Sequence, residues 1–310
     1  SGAERFSQGN ELDQDIWELT DNFTFPLNSH RLTVGTRNEL YKVRNLFAQS
    51  SYGVWTFDDL ADFQGGVVEQ YESAGDLGGG IAATFTAGIF GLYAQDHWQI
   101  NPQVSVTAGL RLDVPTFFDQ PAYDPRVAAD GFNTEVPSGQ LMLAPRLGFN
   151  VDLGNRRTQV RGGVGIFTGA PAYVWYSNAY SNNGSKIGRV TCTGGNVPAF
   201  TTNLGGPLQC ADGTGIAAGT TIGEVNIIGA DTKFPRVLRA NLALDRRLPW
   251  NVNATAEFLY TKGLNDFFIV NRNLQASIGT DANGRAMYGT FPGSGVSTPQ
   301  YVDLTLYGPS

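Results

Sequence analysis

Apolar and polar residues alternate with a period of two through segment after segment, the pattern of β-strands with one apolar and one polar face. From Val104 to Val114 the alternation is unbroken. Val104, Val106, Ala108, Leu110, Leu112 and Val114 share one face, and Ser105, Thr107, Gly109, Arg111 and Asp113 the other. Leu32, Val34 and Leu40 oppose Arg31, Thr33, Arg37 and Glu39 in the same way. Further strands follow at Leu143–Asp152, Val160–Ile166, Leu238–Asp245 and Val252–Thr261. Trp17–Phe25 and Phe90–Ile100 are less regular, with Asp21 and Asp96 on the apolar face. Eight strands are therefore expected, with a partial ninth at Tyr301–Tyr307.

Connections between them come in two kinds. Short turns lie at Pro26–His30, Asn101–Gln103, Leu153–Arg157 and Pro249–Asn251, and long loops at Phe47–Gly80, Pro115–Gln140, Ala170–Thr232 and Lys262–Gln300. Loops longer than about 15 residues are uncommon in compact soluble domains. Strict alternation of tight turns with long loops is instead the habit of outer-membrane barrels. The expected fold is thus all-β, an antiparallel transmembrane barrel with long extracellular loops. A soluble sandwich or propeller also alternates, and remains open at this point. Within the first loop, Thr56–Phe63 reads as a short helix capped by Thr56 and stopped by Gly65-Gly66.

Composition sharpens this picture. Charged residues are 16% of the 310, aromatics 12%, and there are 39 glycines. That suits a β protein with glycine-rich loops better than a disordered chain. The net charge of −7 and the lack of any basic run argue against a nucleic-acid partner. No stretch of about 18 apolar residues suggests a membrane helix, and a mean hydropathy of −0.18 is compatible with short alternating strands. Cys192 and Cys210 share one Gly/Thr/Asn-rich segment. A disulfide there would close a loop in an oxidising compartment, and two free thiols are the alternative.

If the apolar face meets lipid, Arg31, Arg37, Glu39, Arg111, Asp113, Arg146, Asn150, Asp152, Arg161, Arg239, Asn241, Asp245 and Glu257 line the lumen. They would grip a plug or line a substrate route, or simply form a solvated charge ladder. Gly148, Gly163, Gly165 and Gly169 share that face and suggest close approach of another backbone, or a bend. Trp17, Phe25, Trp98, Trp250 and Tyr260 lie near strand ends, where aromatic girdles sit. Tyr173, Trp175, Tyr176, Tyr180 and the amides Asn178, Asn182 and Asn183 crowd the start of the longest loop. They are candidates for binding a sugar or peptide, or for packing the loop on itself. The only two histidines, His30 and His97, lie in separate elements, and no metal-ligand spacing or nucleophile motif occurs. Neither enzymatic chemistry, nor a metal, nor a cofactor is expected.

Several phrases resemble the Oar-like family of TonB-dependent receptors. They are Ile16–Phe25 with Asn28–Gly35, Trp55–Phe63, Leu92–Trp98 with Val106–Asp113, Ala144–Phe149, Arg161–Phe167 and Phe234–Arg236. They arrive in the family's order and span most of the chain, with His97 standing where an acidic residue is usual. The resemblance implies a barrel of about 22 strands around an N-terminal plug, with a periplasmic segment that engages TonB. Residues 1–310 are then expected to be part of one outer-membrane barrel domain, with the plug and the C-terminal strands lying outside it. The implied partners are outer-membrane lipid, the protein's own plug, TonB through the missing N-terminal part, and an unidentified large ligand. An adhesive surface barrel without transport, an intact eight-stranded barrel, and a soluble carbohydrate-binding β-domain are the alternatives.

Overall fold

A computed structural model of the chain describes residues 4–129, 135–153, 157–216, 225–272, 276–280 and 283–287. The main strands are β1 (Gly9–Leu27), β2 (His30–Ala48), β3 (Val54–Thr56), β4 (Gln70–Asp76), β5 (Ala83–Asn101) and β6 (Val104–Phe117). They continue as β7 (Met142–Asp152), β8 (Thr158–Thr168), β9 (Ile187–Thr193), β10 (Arg236–Arg247) and β11 (Asn253–Asn265). A short pair, β12 (Gly279–Thr280) and β13 (Ala286–Met287), and three helices, α1 (Leu60–Gly65), α2 (Pro125–Ala129) and α3 (Tyr173–Ser181), complete it. Among the described residues no helix is long and apolar enough to cross a membrane.

Eight strands form one antiparallel sheet in the order β1-β2-β5-β6-β7-β8-β10-β11. These are the eight that alternation predicts; the ninth, at 301–307, lies outside the described residues. β1 and β11 are edges and do not pair with each other, so the wall is an open arc among the described residues. At the short-turn end, Asn28 adopts φ 55° and Trp250 φ 61°. Left-handed backbone suits a two-residue hairpin, but is a strained place for an indole. Trp250 is 92% exposed there.

Paired residues point to the same side, so the register assigns every side chain to a face. Phe23, Val34, Ala94, Leu110, Leu147, Val164, Ala240 and Tyr260 belong to one apolar face. That face is uncovered: Phe258 is 67% exposed and Leu92 63%. So large an unpartnered apolar surface needs a non-aqueous neighbour. Its height, from Trp17 to Leu27 on β1 and from Val104 to Val114 on β6, matches the roughly 9–11 residues with which a strand crosses a bilayer.

Several strands run on beyond this band, further than the alternation indicates. β1, β2 and β5 each have 19 residues. At about Leu40 the parity of β2 inverts: Lys42 and Arg44 take the formerly apolar face, and Tyr41 and Val43 the formerly polar one. β5 inverts at the same level, with Phe85, Ala87 and Ile89 on the polar side. The long-loop ends of these strands thus leave the apolar band and acquire a core on the opposite face. That core joins Val43, Phe85, Ile89, Phe117 and Met142 to Tyr173, Tyr176, Tyr180 and Phe234.

The long loops are built structures. β3 and β4 from the first loop and β9 from the longest one form a separate three-stranded sheet. Where the sequence suggests a helix over Thr56–Phe63 capped by Thr56, the chain is still in β3 up to Thr56. The helix begins at Leu60, and its cap is Asp59, whose Oδ1 accepts the Asp62 N–H at 2.9 Å. A carboxylate there also meets the positive end of the helix dipole. Gly66, at φ 68°, ends it.

Candidate ligand-capture and wall-lining site

The polar face carries all the charged residues expected to line the lumen. Arg31, Arg37 and Glu39 project from β2, Arg111 and Asp113 from β6, Arg146 and Asp152 from β7, Arg161 from β8, Arg239 and Asp245 from β10, and Glu257 from β11. Alternation fixes this placement, and opposite charges then meet both within a strand and, through the register, across strands. Arg37 bridges Glu18 at 3.1 Å and Glu39 at 2.6 Å. The Arg111 Nε donates to Asp113 at 2.7 Å, with its guanidinium 5.5 Å from the Tyr93 ring centre. Arg161 binds Asp245 at 2.8 Å and approaches Glu257 at 3.8 Å. Asp245 also accepts the Thr255 hydroxyl at 2.7 Å, and Asn241 donates to Glu257 at 3.1 Å. Pairs as open to solvent as Arg37–Glu18 are screened by water, so they order the wall more than they stabilise it. Arg31, Arg146 and Arg239 have no carboxylate partner among the described residues.

Gly148, Gly163 and Gly165 lie on the same face, whereas Gly169 falls beyond the end of β8. At the short-turn end of the wall, Gln99, Gln103, Ser105, Asn150, Gln159 and Asn253 line a polar depression of about 500 Å³.

At the long-loop end the candidate capture residues prove to be mostly core. Tyr173, Tyr176 and Tyr180 are 2–3% exposed and Asn182 6%. α3 lies on the wall with Tyr180 stacked 4.4 Å from Phe85 and Tyr176 stacked 4.9 Å from Phe117. Asn45 of β2 donates a buried 2.6 Å hydrogen bond to the Ser177 hydroxyl, and the Tyr180 hydroxyl donates to the Asp119 carbonyl at 2.7 Å. Burial pushes all three phenols well above the ordinary tyrosine value, so they stay neutral. In this conformation the rings of these tyrosines pack against the wall, so none of the three presents a free face at the surface. Trp175 is the exception at 51% exposure, edge-on to Phe267. Sequence reasoning missed Tyr41, Asn45, Phe85, Phe117 and Phe234, the partners that hold α3. The parity inversion in β2 and β5 is the signal that could have found them.

Beside α3, the three-stranded sheet carries an aromatic group of its own. Trp55 lies 4.4 Å from Tyr71 and 5.7 Å from Phe200, and Phe57 lies 5.2 Å from Phe63. Cys192 of β9 is joined to Cys210 by a disulfide that spans 18 positions. Closing a loop of that length constrains the unfolded chain by about 3 kcal/mol. Replacing both cysteines with serine is expected to weaken this subdomain by about that amount and to leave the wall intact. Hydrogen exchange would show it, as faster exchange in β3, β4 and β9 with β6 and β7 unchanged.

Comparison with known proteins follows the same lines. Residues 1–306 match the family model described as "outer membrane beta barrel domain". No curated protein matches the chain. Among solved structures, the copper transporter OprC aligns at 13% identity with a TM-score of 0.39, over 90% of this chain and 39% of that one. The siderophore receptor PirA from Pseudomonas aeruginosa aligns at 15% identity with a TM-score of 0.36, over 89% of this chain and 43% of that one. The chain thus spans about two fifths of the length of both structures. A soluble sandwich, propeller or carbohydrate-binding domain is set aside by the family match over nearly the whole chain. With its open apolar band, polar inner wall and regular alternation of tight turns with long loops, the chain belongs to the outer membrane beta barrel domain family and resides in the bacterial outer membrane.

Proposed function

We propose that this chain supplies barrel wall and ligand-capture loops to a TonB-dependent receptor that takes up a ligand too large for diffusion through porins. The observation that carries the reading is the pairing of an open eight-stranded arc with a folded extracellular cap. Edges such as those of β1 and β11 cannot be left unpaired in hydrocarbon, which calls for further strands and hence a wider barrel. A wide lumen needs a plug to keep the membrane sealed, and its opening needs energy from outside the barrel. The ordered resemblance to Oar-like receptors supports the same reading. The long loops, with Trp175 exposed at the mouth, are the part that meets the ligand. No chemical step is assigned to the chain, and no cofactor.

Growth of the native bacterium tests this. Deleting the gene should produce a growth defect on one member of a panel of iron chelates, copper salts, oligosaccharides and peptides. Deleting TonB should produce the same defect, and the double deletion no more. A defect that TonB loss fails to reproduce would point instead to a surface protein that binds without transport.

A further inference from the structure

Among the described residues, the inner wall carries arginines both with and without a carboxylate partner. Arg37, Arg111 and Arg161 hold carboxylates, but Arg146 and Arg239 do not. Arg31 also lacks one, and stands apart beside the β1–β2 turn. Arg146 and Arg239 flank one residue: Gly165 pairs with Arg146 across β7–β8 and with Arg239 across β8–β10. Two strand spacings put their backbones about 10 Å apart, and Gly165 adds no side chain of its own between them.

The next row down is Gly148 and Gly163. A Cβ at Gly148 would meet only the Gly162 carbonyl oxygen, at 3.6 Å. Gln95, Thr107 and Asn241 complete a depression of about 520 Å³ with a glycine floor.

Arg146 is held in place by a ring. Its guanidinium carbon is 4.5 Å from the centre of Phe167. A guanidinium stacked on an aromatic face keeps its N–H edges free, and those edges match a carboxylate bidentately. Gly165 makes the stacking possible, because a Cβ there would fall 3.0 Å from Arg146 Cγ and 3.3 Å from Phe167 Cε2. Arg111 cannot be drawn across to share the role, being engaged by Asp113.

We propose that Arg146 and Arg239, across the glycine floor at Gly165, form a carboxylate-binding subsite on the inner wall. It rests on the uptake reading in assigning a carboxylate to what occupies the lumen at this height. The carboxylate comes from one of two sources, a free ligand or an acidic side chain of a protein segment inside the barrel, and the test separates them.

Full-length protein in an uncharged detergent is titrated with citrate by calorimetry, beside R146Q/R239Q, R146K/R239K and the outward-facing R44Q as control. For a free ligand, citrate binds the wild type and R44Q alike, the double glutamine variant weakens it at least tenfold, and the lysine variant falls between. For an internal carboxylate, wild type does not bind citrate. In R146Q/R239Q the segment within the barrel then exchanges its amide hydrogens faster, while the wall strands do not. Equal citrate affinity in wild type and R146Q/R239Q overturns the subsite. Absent citrate binding with unchanged exchange overturns it as well. Heat-modifiable migration on gels confirms that each variant is folded. Neither arm involves TonB, so a failure of energy-coupled uptake is a separate result.

Discussion

Replacing Leu110 with arginine is expected to destabilise the folded barrel by about 2–4 kcal/mol, the cost of a cation at the bilayer midplane on a lipid-facing strand position. Leu110 sits near the middle of the apolar band on β6, 52% exposed and paired with Ala94 and Pro145, and the carboxylate diagonal to it on that face, Asp96, already holds His30 at 2.7 Å. Two comparisons make the number informative. Gln95, on the polar face next to this position, should accept arginine at a cost under about 0.5 kcal/mol. Thr84 shares the face of Leu110 but lies beyond the parity inversion, so arginine there should be equally mild. Urea titrations of folding into phosphatidylcholine vesicles would rank the three. A costly Gln95→Arg beside a harmless Leu110→Arg would reverse the two faces; a costly Thr84→Arg would move the membrane boundary.

The contrast between Leu110 and Thr84 also shows what the sequence discloses and what it conceals. Inside the band the outward side is mostly apolar and the inward side wet, so period-two alternation marks the strands, and in β6 it is unbroken from Val104 to Val114, three residues short of the strand's end at Phe117. Above the band that constraint lapses. Asp13 and Asp15 on β1 face outward, and Arg44 on β2 bridges Glu11 and Asp13 at 3.1 Å each. A reader who expects one parity per strand stops at Trp17, eight residues short of the start of β1. The α1 cap fails for a related reason. Thr56 and Asp59 are both good capping residues, and only the pairing of β3 with β4, which no local signal announces, shows that Thr56 is still in a strand.

The site divides along the same line. Which charges line the wall follows from parity alone, and each one lands on the polar face. Pairs within a strand, Arg37–Glu39 and Arg111–Asp113, share a face by parity, but pairing across strands depends on register between positions up to 84 apart, as for Arg161 and Asp245, and alternation does not encode that. The loop aromatics were hardest. Tyrosines beside amides look the same in sequence whether they greet a ligand or fill a core. The difference lies in Phe85 and Phe117, on other strands, which take up the ring faces.

That packing makes Phe117 the residue whose loss should loosen the extracellular mouth most. Truncating Phe117 to alanine is expected to cost about 3–5 kcal/mol, the usual range for a buried aromatic whose cavity cannot collapse. Phe117 is 5% exposed at the end of β6 and contacts Phe85, Tyr173, Tyr176 and Phe234. Most of that group sits on α3 or on the wall beneath it. The cost should therefore fall on the docking of α3 and not on the membrane-embedded hairpins, whose ladders do not involve this ring. Even 3 kcal/mol corresponds to more than about a hundredfold in a local opening equilibrium, so amides of residues 173–181 should exchange faster by that factor. Trp175 supplies the control from the same helix. Being 51% exposed, it should tolerate alanine at under about 1 kcal/mol and leave exchange nearly unchanged. Under the capture reading its loss weakens ligand binding instead. If Trp175→Ala loosened α3 as much as Phe117→Ala, the indole would be a packing residue, and the capture surface would have to be sought on the three-stranded sheet around Phe200.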